Sequence, residues 1–349
     1  METFWYSVLT FMLAMYVVLD GYDFGVGMLY PFVARSEEER RTVLASIGPV
    51  WTGNEVWLIG SGGVLFFAFP KAYAAGFSGF YLALIMVLWL LIFRGLALEL
   101  RLHVDHTLWR QFWDVTFAAA SFLLAVVFGV ALGNLVRGVP LDSDGYFFVA
   151  LWTDFLPGTE PGTLDWFTVL MGLASIAILA FHGARYLAMK TEGELRGRVS
   201  GYARAAAWVV LGLAGLAMLI IPFVQPLIPL NYQKHPQGYL FTIAGALALL
   251  AAIRLAGQQR DIGAFAASSL FILAMLGSVA WGCYPNILIA TTDPSNSLTI
   301  FNATAGSYGL QVGVLWFAIA FVLVLAYQIY AHAAFWGKVR PALDSAPAE

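Results

Sequence analysis

Apolar runs of about nineteen or more residues recur along this whole chain, each long enough to cross a hydrocarbon core as a helix. Lipid offers no hydrogen-bond partners, so a spanning backbone must satisfy its own N–H and C=O groups as a helix or a closed barrel. The alternation of polar and apolar residues that a barrel strand needs is missing, which leaves helices. Composition agrees. Of 349 residues, 60% are hydrophobic and only 11% charged, where a soluble domain would carry about a quarter charged residues. The fold class is all-α integral membrane.

Nine transmembrane helices are predicted, over 5–30, 52–70, 77–99, 114–136, 164–188, 204–224, 239–257, 264–284 and 310–335. Helices 1–4 fill about 5–136 and helices 5–9 about 164–335, which suggests two four-helix bundles plus one peripheral helix. They form a single polytopic domain, 1–336, followed by a cytoplasmic tail over 337–349. With nine spans, 15 of the 18 Lys and Arg residues fall on one set of connections, and only Lys71, Arg137 and Lys234 on the other. The positive-inside rule then puts the N-terminus outside and the C-terminus in the cytoplasm. METFWYSV has no basic n-region and the first span is too long for an h-region, so a cleaved secretory signal is not expected. Cys283 is the only cysteine, which excludes a disulfide within the chain. The longest connections are 137–163 and 285–309 outside and 189–203 inside; the outer pair are rich in Pro, Gly, Asp and Thr.

Against this apolar background the charged residues stand out. Asp20 and Asp23 lie inside the first run, in LDGYDFGVGML, where each carboxylate costs roughly 2.5–3.5 kcal/mol on insertion scales. Three residues apart, they share one helical face. The second span opens on GPVWTGNEVWLI, bringing Asn54 and Glu55 to a similar depth, and the third ends on FRGLALELR, with Arg94, Glu99 and Arg101. Short turns make these three helices neighbours. The expected result is one polar cluster open to the cytoplasm, with four acids, Asp20, Asp23, Glu55 and Glu99, facing Arg94 and Arg101. Surplus carboxylates in such a place could take up and release protons near neutrality. A structural reading also fits: Arg94 ties the third helix to the first, Thr52 and Glu55 form a capping box, and Arg101 and Glu99 reach the headgroups. Gly21, Gly25 and Gly27 include the four-residue spacing that permits close helix approach.

Haem ligation by this chain is not expected. Of the five histidines, His103, His106, His182, His235 and His332, only His182 is clearly within a span, and it reads as a hydrogen-bonded packing residue. There is no phosphate-binding glycine loop, zinc-ligand cluster or nucleophile motif. An acidic site in a helix bundle also suits a proton-coupled secondary transporter, although the broken helix and inverted repeat of that class are not evident. A purely structural scaffold is the third reading.

Several stretches together, LDGYDFGVGML, GPVWTGNEVWLI, FPKAYAAGFSGFY, FRGLALELR, FGVALGNLVRGVP and YPNILIATTDPSNSLTIFNA, resemble subunit II of cytochrome bd quinol oxidases, in order across most of the chain. The resemblance implies a nine-helix, non-haem subunit of a terminal oxidase in the bacterial cytoplasmic (inner) membrane. Such an oxidase couples quinol oxidation to dioxygen reduction to water. Haems b and d are then expected in the partner, the haem-bearing subunit I, with no cofactor bound by this chain alone except a possible structural quinone. Small accessory subunits, quinol and lipid are further expected partners, and nucleic acid is not. The resemblance carries Asp20, Asp23, Trp51, Gly53 and Asn54 onto the family motif. It also exposes a departure: members often read Trp-Asp-Gly-Asn where this chain has Thr52, whose hydroxyl can relay a proton but cannot store a charge.

Overall fold

A computed structural model describes residues 1–339, so most of the expected tail lies outside the described residues. Its axis is α1 (Glu2–Val33), 32 residues or roughly 48 Å long, well beyond the roughly 30 Å of a hydrocarbon core. Every residue from Val18 to Tyr30 is buried. An apolar helix enclosed on all sides needs no amphipathic stripe, and α1 is accordingly packed by α3 (Trp51–Ala68), α6 (Thr107–Arg137), α7 (Trp166–Lys190) and α11 (Asp261–Cys283). On one side α5 (Tyr81–Leu100) packs on α6; on the other, α8 (Gly193–Val224) packs on α7 and α10 (Tyr239–Gly257) on α11. The last helix, α12 (Ser307–Ala334), is peripheral and buries only Leu310, Gln328 and Ala331.

Among the described residues eight helices, α1, α5, α6, α7, α8, α10, α11 and α12, are long and apolar enough to cross a membrane. The second predicted span is the exception. It exists as α3, but Gly60, Gly62 and Gly63 together with Thr52, Asn54 and Glu55 dilute its hydropathy. Hydropathy also sees the apolar part of a helix and misses its polar ends. The connection expected over 189–203 shrinks to Thr191 and Glu192, because α8 starts at Gly193. The expected span 77–99 breaks at Phe80 between α4 (Pro70–Gly79) and α5. Two short helices, α2 (Glu37–Ile47) and α9 (Leu227–Lys234), fill segments read as connections.

At the end that carries the N-terminus, the two long loops join. Strand β1 (Asn286–Leu288) pairs antiparallel with β2 (Leu298–Thr299). Val139 bridges to the same segment, donating to the Ile289 carbonyl at 2.8 Å and accepting from Thr291 N–H at 2.9 Å. Beneath them Trp5, Leu9, Phe69, Leu141, Phe147 and Leu298 form one apolar cluster. Nearby, Arg137 at the end of α6 pairs with Asp165, which also caps α7 in a full capping box with Thr168.

Candidate functional site

Close backbone approach sets the site. Where α1 crosses α7, a Cβ on Gly25 would overlap the Leu179 carbonyl oxygen and stand 2.8 Å from the Gly183 Cα, so both positions need glycine. A Cβ on Gly27 would run into Ser121 of α6, whereas one on Gly21 meets only the tip of the Leu179 side chain at 2.9 Å. Gly53 lies 3.0 Å, measured from such a Cβ, from the Tyr327 ring, which brings α12 against α3. Trp51 fills the notch left by Gly95 on α5.

This packing aims four helices at one buried spot. Arg94 of α5 donates to Asp20 of α1 at 2.6 Å and to Glu55 of α3 at 2.5 Å. Neither Arg94 nor Asp20 has exposed side-chain surface, while Glu55 keeps 22%. The Arg94 guanidinium also lies 4.6 Å from the Phe24 ring centroid. Asp23 takes a different partner, since the Asn54 amide donates to its Oδ2 at 2.9 Å and to the Tyr22 hydroxyl at 2.8 Å. Gln328 of α12 in turn donates to Asn54 Oδ1 at 3.0 Å. Four buried polar atoms of this cluster, Asp20 Oδ2, Asp23 Oδ1, Arg94 Nε and Tyr16 Oη, have no hydrogen-bond partner among the described residues. Two carboxylates thus share one guanidinium while a third rests on an uncharged amide, with acceptor capacity left over.

The expected single cluster is in fact two. Arg101 does not reach for headgroups but is buried, with 1% side-chain exposure. It grips Glu37 of α2 at 2.9 and 3.0 Å and Asp114 of α6 at 2.5 Å. Tyr30 donates to the same Asp114 at 2.5 Å and Arg40 pairs with it. This second network clamps α2 across the ends of α1, α5 and α6. Glu99 joins neither cluster; it stands on the exposed face of α5, because five residues from Arg94 and two from Arg101 turn its side chain about 140° and about 160° away from theirs around the helix. No Thr52–Glu55 capping box forms: Val50 is the N-cap of α3, without a side-chain cap bond, and Thr52 lies exposed in the first turn.

Tyr16, Tyr22, Asp114, Gln328 and His332 were not singled out from the sequence as partners of these groups. An acid or amide inside a long apolar run was the available signal for Asp114 and Gln328; the tyrosines gave none. His182 hydrogen-bonds at both ring nitrogens, to Ser268 Oγ at 2.8 Å and to the Val18 carbonyl at 2.9 Å, which leaves neither for an iron. Among the described residues, no group of three His, Cys, Asp or Glu side chains could hold a metal ion.

Comparison with known proteins gives a consistent answer. The sequence model of the family described as cytochrome bd terminal oxidase subunit II matches residues 1–335. Cytochrome bd-I ubiquinol oxidase subunit 2 of Escherichia coli K12 is 32% identical over 96% of this chain and 94% of its own length. Cytochrome bd ubiquinol oxidase subunit 2 of Bacillus subtilis is 28% identical over 96% of both. The fold matches a chain of the bd oxidase structure from Geobacillus thermodenitrificans with a TM-score of 0.75, at 18% identity, over 96% of this chain and 98% of that one. These relatives, with eight apolar helices, identify a multi-pass protein of the bacterial inner membrane. The chain belongs to the cytochrome bd terminal oxidase subunit II family.

Proposed function

We propose that this chain, as the second subunit of a bd-type terminal quinol oxidase, stabilises the haem-bearing subunit and carries protons from the cytoplasm through the cluster of Asp20, Asp23 and Glu55. The observation that carries the proton reading is the imbalance around Arg94: Asp20 and Glu55 share this one base, Asp23 beside them is held by the neutral Asn54 amide, and carboxylate oxygens of both aspartates are left without partners among the described residues. A purely structural buried ion pair repays its desolvation only where hydrogen bonds satisfy the remaining lone pairs. The surplus suits groups that gain and lose protons, and Glu55, with part of its side chain exposed, is the outlet.

The reading includes α3 as a ninth crossing, the N-terminus outside and helices 1–8 as two four-helix bundles with α12 apart. Thr52, Val56 and Ile59 share the exposed face of α3 beside Glu55. A carboxylate at the edge of lipid-facing surface is unfavourable, which supports covering that face with the haem-bearing subunit. Axial haem ligands are then the partner's to supply, and this chain's part is to position and protonate.

The test is quinol-driven oxygen consumption and cytoplasmic proton uptake by the assembled oxidase carrying Asp20→Asn, Asp23→Asn or Glu55→Gln. Uptake should fall by about tenfold or more in at least one variant that still binds its haems. Wild-type uptake in all three would overturn the proton reading and leave a scaffold.

A further inference from the structure

A buried carboxylate that exchanges protons needs a titratable neighbour at the surface, and the hydrogen bonds around Asp23 lead to one. His332, half-buried in the last turn of α12, has its Nε2 3.3 Å from the Tyr22 hydroxyl and its Nδ1 3.0 Å from the Gln328 carbonyl. A carbonyl only accepts, so Nδ1 carries the hydrogen; Nε2 of the neutral ring must then accept, and Tyr22 donates to it. Tyr22 receives in turn from Asn54 at 2.8 Å, and the same nitrogen holds Asp23 at 2.9 Å. Tyr22 Oη and Asp23 Oδ2 therefore both sit within about 3 Å of a single nitrogen, close enough for one water to bridge them.

We infer that His332 is the residue through which Asp23 exchanges protons with the cytoplasmic side, with the Tyr22 hydroxyl as relay. The inference rests on the proton reading given above and names an entry to it within this chain. A proton taken up at Nε2 turns the ring from acceptor to donor toward Tyr22 Oη. The Tyr22 hydrogen then leaves His332 for the Asp23 side. Passing that hydrogen to the Asp23 carboxylate while Tyr22 takes the imidazolium proton leaves neutral imidazole, neutral phenol and protonated Asp23. Charge and atoms balance without a phenolate.

The surroundings of His332 suit the role. Lys190, at the end of α7, is the charged group that acts on it from a neighbouring helix, and its Nζ is held by the Phe335 carbonyl at 2.6 Å. From α1 the facing hydroxyl is Tyr22, kept in place by Tyr186 of α7 stacked on it at 4.0 Å. From α3 the nearest polar group in this chain of contacts is the Asn54 amide, which does not titrate. Packing alone gives α12 little reason to carry this histidine. The helix buries three residues, and its inner end is tied to the body through Gln328 and His332, one turn apart, both reaching the Asp23 network.

The experiment uses the whole oxidase in sealed vesicles, comparing His332→Gln, His332→Ala, Tyr22→Phe and Asp23→Asn for proton uptake across a pH series. His332→Gln and Tyr22→Phe should slow uptake by about tenfold and flatten its pH profile near neutrality, and added imidazole should restore His332→Ala. Slow Asp23→Asn with wild-type uptake and pH profile in both His332 variants would overturn this entry while the acid cluster stood. Wild-type uptake in Asp23→Asn and both His332 variants would remove Asp23 and this entry together; only if Asp20→Asn and Glu55→Gln also kept wild-type uptake would the whole cluster fall. Loss in His332→Ala that imidazole does not restore, with wild-type behaviour of His332→Gln, would reduce His332 to a packing residue.

Discussion

Arg94 and Asp20 face each other at 2.6 Å with no solvent on either side chain. The pair joins α5 to α1 inside the membrane body, and the second arm of the guanidinium adds Glu55 of α3. Removing one member of a buried pair strands the other charge, at a cost of about 3–5 kcal/mol. Arg94→Ala is therefore expected to lower the thermal stability and yield of the assembled oxidase sharply. Arg94→Lys should do almost as badly, because a single ammonium cannot reproduce the forked reach to two carboxylates. Pairing Arg94→Gln with Asp20→Asn should recover part of the loss, since the fully buried aspartate is then no longer stranded and only the part-exposed Glu55 loses its base. Equal thermal midpoints for wild type and Arg94→Ala would refute this account.

The helix-1 glycines separate by what surrounds them. Gly25→Ala and Gly183→Ala each push a methyl into the facing backbone, and backbone cannot rotate away; overpacking of this kind costs about 1–3 kcal/mol or more. Gly21→Ala meets only the flexible end of Leu179 and should be nearly neutral. Detergent-extracted complex recovered at each position tests the ranking. Recovery of Gly25→Ala at the Gly21→Ala level would contradict it.

That ranking also marks what could be read in the sequence. The four-residue spacing of Gly21 and Gly25 signals close approach, but only the fold reveals that α7, through Gly183, makes the contact. Apolar runs located the spanning helices because lipid forces backbone pairing, and α10 runs over the predicted 239–257. The ends were missed where polar turns continue a helix, as in α8. Asp20, Glu55 and Arg94 were expected together, and burial cost is the reason such charges seek each other. Glu99 and Arg101 were assigned to the same cluster because depth is legible from position along a helix, whereas azimuth relative to neighbours is not. Tyr22 and His332 are 310 residues apart in sequence and meet only through tertiary packing.

Outside the spanning segments, Glu37 gives a pH signature. Its hydrogen bonds from Arg101 hold the carboxyl below its ordinary value of 4.5, and unfolding returns it to that value. The unfolded state thus binds the proton more readily, and stability from this pair is complete above about pH 4.5 and drains away as pH falls through the lower, folded value. Because Glu37 retains 39% exposure, screening keeps the contribution small, about 1 kcal/mol or less. Glu37→Gln should lower the thermal midpoint slightly at pH 7, and the gap to wild type should close as the pH drops below 4.5. A gap constant from pH 7 to pH 3 would show that the ion pair is not its source.

At the opposite end of the molecule, Asp165 does two jobs at once. Its Oδ1 accepts from the N–H groups of Phe167 and Thr168, both at 2.8 Å, which caps α7; its Oδ2 pairs with Arg137 at the end of α6. Arg137 is anchored further by the Gly162 carbonyl at 3.0 Å and Asn134 Oδ1 at 2.7 Å, so it would remain buried with the pair broken. Asn caps a helix about as well as Asp but carries no charge, whereas Ala does neither. Asp165→Asn should therefore lose the ion pair alone, and Asp165→Ala should cost about a further 0.5–2 kcal/mol for the cap. Both losses should appear as lower thermal midpoints, larger for Ala. Equal midpoints for the two variants would mean that α7 does not depend on this cap, and that the cost lies in the stranded arginine alone.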